Sequence, residues 1–226
     1  MEIIKCSAKD VPLLAAMNKN YSIRVEEPRD YEAVENLTRD SFWNVYRPGC
    51  SEHYVLHCYR SNPDFIPELS LVMEADGKII GHVMYSKARI ELDQDGTLDT
   101  WTFGPISIHP DCKRKGYGLA LLNYSIEKAR KMGIGFLCME GNYEFYKHAG
   151  FDLASKLGIH YHGEPKDAKV PYFLAQELIP GFLNGRTGTY TPPKGYFAAE
   201  ENPQDFEAFD AKFPYKEKLK LPGQLF

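Results

Sequence analysis

Residues 103–130 read F-G-P-I-S-I-H-P-D-C-K-R-K-G-Y-G-L-A-L-L-N-Y-S-I-E-K-A-R, and three pieces follow one another there without a spacer. Phe103 to Ile108 is an apolar run rich in β-formers, closed by His109-Pro110. From Gly116 onward Leu119, Leu122, Ile126 and Ala129 recur at helical spacing, while Asn123, Glu127 and Lys131 fall on the other side. That pattern predicts a strand, then a basic loop, then a helix that packs one face on the rest of the protein. Lys113, Arg114 and Lys115 crowd the loop, and Gly116 and Gly118 let its backbone approach a ligand. The first turn of a helix leaves amide N–H groups unpaired at the positive end of its dipole, so the loop reads as a site for a phosphate or pyrophosphate.

Spacing excludes two other phosphate loops. No Lys-Ser/Thr follows Gly116 or Gly118, as a G-x-x-x-x-G-K-[ST] loop requires, and Leu121 stands where a G-x-G-x-x-G fingerprint places its third small residue. A second block lies downstream. Gly133 ends the helical pattern, Ile134 to Met139 reads as a buried strand, and Gly141 to Phe151 reads G-N-Y-E-F-Y-K-H-A-G-F.

Together the two blocks resemble the GNAT N-acetyltransferase superfamily. The first is similar to its apolar strand, h-x-P and [QR]-x-x-G-x-[GA] helix start, with Lys113 where the family carries Gln or Arg. Lysine keeps the charge and a donor but loses the planar fork of arginine. The second resembles the subgroup written G-[DN]-x-x-[YF]-Y-x-x-x-G-F. The resemblance, which by inspection covers Tyr21 through Tyr190, implies a mixed α/β (α+β) fold with a central, mostly antiparallel, twisted sheet flanked by helices. It also implies an acetyl-CoA-dependent N-acetyltransferase acting on a primary amine of a small molecule or peptide. A non-catalytic acyl-CoA-binding sensor or interaction module on the same fold is the alternative.

Site residues follow from the same resemblance. Ile106, Ser107 and Ile108 are expected to pair through their backbone with the pantetheine arm, the Ile108 amide facing the acetyl carbonyl. Lys113, Arg114, Lys115, Gly116, Tyr117, Gly118, Leu119 and Ala120 are expected to hold the coenzyme A pyrophosphate. Asn142 caps the short helix after Gly141 or bonds the pantetheine, and Tyr146 stands at the family's general-acid position. A phenol with a pKa of about 10 is protonated at neutral pH and can donate to a departing thiolate. No base declares itself; Glu140, at the end of the strand, is the first choice. No metal is expected: His53 and His57 stand at i and i+4, but the H-E-x-x-H order and a third ligand are missing, so they read as solvated or facing the acceptor. In the family the region with Trp43 and Tyr46 borders the acceptor pocket.

The remaining chain fits around this centre. Residues 1–20 read as an N-terminal extension with its own strand and helix, residues 21–190 as the transferase domain, and residues 191–226 as an aromatic, Pro-rich segment packed on the domain or on a partner subunit, a homodimer being one such arrangement. Within the domain, Ser22 to Val25 starts a strand, a helix from about Pro28 carries Tyr31, Val34, Leu37 and Phe42, and Ser51 to Arg60 is a second helix. Ala75-Asp76-Gly77 joins strands Leu69–Glu74 and Lys78–Tyr85, a turn at Asp93 to Gly96 leads to the central strand, and Phe151–Leu157 and Tyr172–Leu178 close the sheet. Gln204 to Phe213 reads as a short helix. The net charge of −4 argues against nucleic acid. No apolar run reaches membrane-spanning length, and the five scattered cysteines suit a reducing compartment, so no membrane and a cytoplasmic location are expected.

Overall fold

A computed structural model describes residues 20–224; the expected N-terminal extension lies outside the described residues apart from Asn20. Strand β1 (Ser22–Val25) leads through a 3-10 turn into α1 (Tyr31–Phe42), and α2 (Glu52–Tyr59) follows. Three antiparallel strands come next, β2 (Leu71–Ala75), β3 (Lys78–Leu92) and β4 (Thr97–Ile108). Helix α3 (Tyr117–Lys131), β5 (Phe136–Glu140) and the single turn α4 (Tyr143–Tyr146) complete the central unit. Short strands β6 (Asp152–Leu153), β7 (Ile159–Tyr161), β8 (Phe173–Glu177) and β9 (Gly188–Tyr190) precede α5 (Ala198–Glu201) and α6 (Pro203–Asp210).

The sheet runs β1-β2-β3-β4-β5-β8-β6, with β9 on the far end of β3 and β7 on β9. It is mostly antiparallel and flanked by helices, as expected. β3 and β4 are longer than the apolar blocks suggested. Ser86 to Glu91 alternates polar with apolar residues and pairs with Thr97 to Thr102 across the turn at Asp93–Gly96. The strand expected over Phe151–Leu157 is cut to Asp152–Leu153 and continues as a 3-10 turn. β7, β9 and α5 were not anticipated; three- and four-residue elements are too short to show a period.

Side-chain alternation separates two cores. Leu137 and Met139 of β5, with Trp101 and Phe103 of β4, pack against Leu121, Leu122, Ile126 and Ala129 of α3. Phe136 and Cys138 point the other way, onto Ile159, Phe173 and Tyr190. Helices α1 and α2 cover that second face over β2 and β3 through Val34, Val55, Leu56, Val72 and Met84. Full burial of each large side chain contributes about 1.5–3 kcal/mol.

Residues 191–224 lie on the same face. Gly195 sits against the Tyr59 ring, Tyr196 packs with Tyr59 at 4.9 Å between ring centroids, and Phe209 stacks among Tyr54, His57 and Phe213. Asp210 accepts hydrogen bonds from Arg39 Nε at 2.7 Å and pairs with His53 Nε2 at 3.0 Å, while Arg39 also donates to the Pro214 carbonyl. The reading of His53 and His57 as a solvated or acceptor-facing pair is corrected. His53 is fully buried under Phe206, Phe209 and Phe213, and half-exposed His57 turns to Glu35 at 2.9 Å.

Burial holds His53 and His82 neutral, with pKa values pushed down from 6.5 to about 4. The Asp210 and Glu26 carboxylates oppose this without outweighing it. The unfolded chain takes up those protons at the ordinary histidine value, so their contribution is complete above pH 6.5 and is lost as pH falls toward about 4. Each group costs at most about 1.4 kcal/mol per pH unit in that window. Urea unfolding at several pH values should therefore show falling stability from pH 6.5 to 4.5, and a flat profile would refute the buried neutral histidines.

Candidate active site

The central sheet breaks between β4 and β5. The two strands are parallel neighbours, yet only Trp101 and Leu137 stand in ladder register, with the Thr100 hydroxyl donating to the Phe136 carbonyl at 2.8 Å. The cause is local and lies in the sequence. Pro105 has no amide to give, and Gly104 adopts a φ of +144°, a region open to glycine. Opposite β3, the register slips between Val83 and Tyr85, leaving a bulge in β4. Beyond it Ile106 to Ile108 pair with β3 alone.

Main-chain directions define what faces the gap. The His109 amide donates to the Ile80 carbonyl at 2.8 Å, so by alternation along the strand the Ile108 and Ile106 amides point away from β3, toward the gap. The Ile108 carbonyl, on the same side, accepts from the Ser41 hydroxyl of α1 at 2.9 Å. Ser107 turns its side chain to the Thr38 hydroxyl of α1 at 3.1 Å and its main chain to His82 of β3, so the expected Ser107 contact is not brought to the gap.

The loop between β4 and α3 is shaped by two left-handed residues, Arg114 at φ +59° and Gly116 at φ +87°. Gly116 is the N-cap of α3 and supplies no side-chain cap, so the start of the helix stays open to an acceptor from elsewhere. Gly118 leaves space there: a Cβ at this position would lie 3.5 Å from Ile108 Cγ1 and 3.5 Å from Phe145 Cζ. Leu119 and Ala120 are buried beneath. Lys113 departs from the cluster. Its ammonium donates to the Ser41 carbonyl at 2.9 Å, and desolvation holds its pKa below the ordinary lysine value. Arg114 and Lys115 are exposed, as is Lys113 apart from that bond.

Across the gap, Asn142 caps α4 by accepting from the Glu144 amide at 2.9 Å. Gly141 is required by Tyr146: a Cβ on Gly141 would lie 2.3 Å from Tyr146 Cε2 and 2.9 Å from Met139 Cε. The Tyr146 ring is held by Phe103, Phe145 and Phe151. No hydrogen bond joins its hydroxyl to another described residue, and the residue is 8% exposed. Burial, with smaller contributions from the Tyr46 and Tyr85 hydroxyls, raises its pKa well above the ordinary phenol value.

Glu140 lies on the opposite face, continuing the Phe136 and Cys138 side of β5. Its Oε1 accepts from the Tyr161 hydroxyl at 2.8 Å. Burial pushes its carboxyl up, against the lowering effect of that bond. Tyr161 and Tyr172 were not singled out in the sequence, since they fall in the Gly-, Pro- and Lys-containing stretch 158–172. Trp43 is committed elsewhere: Arg39 stacks on its ring at 4.1 Å and its Nε1 donates to the Glu217 carbonyl at 3.0 Å. Tyr46 is exposed near Tyr146, and burial, then the Glu52 charge, raises its pKa.

A mixed sheet opened at its centre, with an uncapped glycine-rich helix start at the opening, is the layout of an acyl-transfer domain. The chain belongs to the GNAT acetyltransferase family: the family model described as "Acetyltransferase (GNAT) family" matches residues 32–151, from α1 to the Gly-Phe that follows α4. The chain is similar to the uncharacterized N-acetyltransferase YjhQ of Escherichia coli strain K12, 29% identical over 86 residues, which are 38% of this chain and 47% of that protein. It thus spans about half the length of this curated relative. Two solved structures share the fold. The GNAT family N-acetyltransferase YhbS from Escherichia coli, in complex with CoA, has a TM-score of 0.67 at 22% identity, over 79% of this chain and 92% of that one. A GNAT family acetyltransferase from Brucella melitensis, in complex with acetyl-CoA, has a TM-score of 0.63 at 21% identity, over 79% and 99%. No helix among the described residues is long and apolar enough to cross a membrane.

Proposed function

We propose that this protein transfers the acetyl group of acetyl-CoA directly to a primary amine, with Tyr146 as the general acid and Glu140 as the base. The observation that carries this reading is the Tyr146 hydroxyl, anchored by three aromatic rings yet without a partner among the described residues, beside a gap edged by the outward amides of Ile106 and Ile108. A polar group left unpaired at such a place is free to bond a ligand. The donor fits the residues present. The start of α3, where Gly116 gives no side-chain cap, with Arg114 and Lys115 outside it, suits a pyrophosphate, although the Ala120 amide is already bonded to the Gly116 carbonyl. The freed amides of β4 suit the amide-bearing arm, and the Ile108 amide suits an oxyanion. Lys113 acts one step back, holding Ser41, which in turn fixes the Ile108 carbonyl.

The motif Gly141–Phe151 supports membership of the narrower G-[DN]-x-x-[YF]-Y-x-x-x-G-F subgroup. Residues 21–190 form the transferase unit in this reading, and the contacts of Tyr196, Phe209 and Asp210 support a C-terminal segment docked on that unit. Calorimetric titration with acetyl-CoA, and with ATP and NAD as controls, tests the donor assignment; selective acetyl-CoA binding is expected, and no binding by folded protein overturns it.

Gly118→Ala separates the ligand role of this glycine from a structural one. Its backbone φ is not in the left-handed region and an added methyl makes only ordinary contacts, so the free protein should be as stable as the parent or up to about 1 kcal/mol more stable. Acetyl-CoA affinity should fall by tenfold or more, because the methyl fills the space at the helix start. Equal affinity in the two proteins would remove Gly118 from the donor site.

A further inference from the structure

We propose that Glu140, Tyr161 and Tyr172 form the seat of the acceptor, and that the acceptor is a net-cationic primary amine carrying no carboxylate. This rests on the acetyl-transfer reading above and adds the substrate class. The placement follows from the split sheet. The open start of α3 and the Tyr146 ring belong to one face with Met139, whereas Glu140 emerges on the other. Donor and acceptor therefore enter from opposite faces and meet at the gap, beside the Tyr146 hydroxyl.

The seat differs electrostatically from the rest of the molecule. Asp30, Glu26 and Asp210 are each matched by an arginine, Arg24 at 2.6 Å, Arg60 at 2.7 Å and Arg39 at 2.7 Å, whereas Glu140 stands at the exposed end of β5. Glu140 has no ion pair with any described residue; its only bond is the Tyr161 hydroxyl on Oε1, which leaves Oε2 for a ligand. The groups around it come from every neighbouring element. They are Tyr161 from β7, Tyr172 ahead of β8, Tyr190 from β9 and Tyr196 from the C-terminal segment, with Glu164 acting on both Tyr161 and Tyr172. All are neutral or negative at neutral pH. Tyr161 and Tyr172 stand edge to face, ring centroids 5.7 Å apart and planes at 82°, and Tyr172 is exposed. A carboxylate walled by tyrosine rings attracts an ammonium through both charge and the ring faces. An acceptor carboxylate would meet Glu140 and Glu164 with no cation to match it, which costs affinity.

The chemistry balances. The ammonium donates to Glu140 Oε2 and passes it one proton; desolvation, which raises the Glu140 carboxyl, works in the direction of that transfer. The neutral amine attacks the acetyl carbon, the C–N bond forms and the C–S bond breaks. Tyr146 gives its phenolic proton to the departing thiolate and is reprotonated by the second proton lost from nitrogen. One proton leaves through Glu140 to solvent.

The test uses the full chain, saturating acetyl-CoA and thiol release as readout. Two matched pairs are compared: 1,5-diaminopentane with lysine, and 1,4-diaminobutane with 4-aminobutanoate. The expected result is a kcat/KM at least tenfold higher for the diamine of each pair. Tyr172→Ala should raise KM for the diamine several-fold and leave KM for acetyl-CoA unchanged. Tyr161→Phe keeps the ring but removes the donor that lowers the Glu140 pKa, so the acidic limb of the kcat/KM profile should move to higher pH. Equal or better turnover of the carboxylate-bearing member, or an unmoved limb, overturns the seat. If acetyl-CoA binds in calorimetry but neither diamine reacts, the acceptor class is wrong while the donor reading stands. If acetyl-CoA does not bind, both fall.

Discussion

Tyr146→Phe should lower kcat for acetyl transfer by roughly a hundredfold or more, the usual scale of a lost general acid, with KM for acetyl-CoA changed by less than about twofold. The argument is one of deletion without collateral damage. The ring stays among Phe103, Phe145 and Phe151, and the hydroxyl leaves no described residue unpaired. Folding stability should therefore stay within about 0.5 kcal/mol of the parent, since no orphaned group is created. The deficit should shrink when the acyl donor carries a thiol of low pKa, because such a leaving group needs less help from a proton. Equal deficits with both donors would assign Tyr146 to positioning, and an undiminished kcat would remove it from the chemistry.

Asp210→Ala is expected to destabilise the fold by about 3 kcal/mol, the largest single effect on stability predicted here. Removing one partner of a buried pair strands the other charge without water. The Arg39 side chain is 4% exposed, and Asp210 accepts from its Nε while also facing His53. Burial alone would raise the Asp210 carboxyl, but the Arg39 hydrogen bond and charge hold it below the usual carboxylate range. The paired change Arg39→Met with Asp210→Leu should recover much of the loss, because it strands no charge. Urea midpoints for the single and double variants check both halves; a single-variant loss under about 1 kcal/mol would mean that the pair is well solvated.

The strand, loop and helix start proposed to hold the donor were legible in the sequence because every signal there is local. A strand, a glycine loop and a helix of strict period sit within 28 residues, and Gly141 to Phe151 forms a second self-contained block. Lys113 shows the limit of that reading: its charge was expected on the ligand, but the chain turns its ammonium inward to Ser41, 72 positions earlier. The surroundings of Glu140, proposed to seat the acceptor, were not legible. Tyr161 reaches Glu140 from a three-residue strand in a polar stretch, and its identity as a strand depends on β9. His53 looked solvated because its partner, Asp210, is 157 residues away. Pairings set by tertiary docking leave no period to find.

The broken ladder has a thermodynamic consequence. Past Trp101 and Leu137 no main-chain rung joins the two halves of the sheet; they are held by α3 on one face and, on the other, by the β9–β7 ribbon, which is rooted on β3 and ends in the Tyr161 bond to β5. In the proposed reading a donor lying in the gap and bonding to the β4 amides would supply the missing rungs from outside the chain. Site occupancy and cohesion of the domain would then be linked quantities, and the domain would be a more cooperative body with its donor than without it.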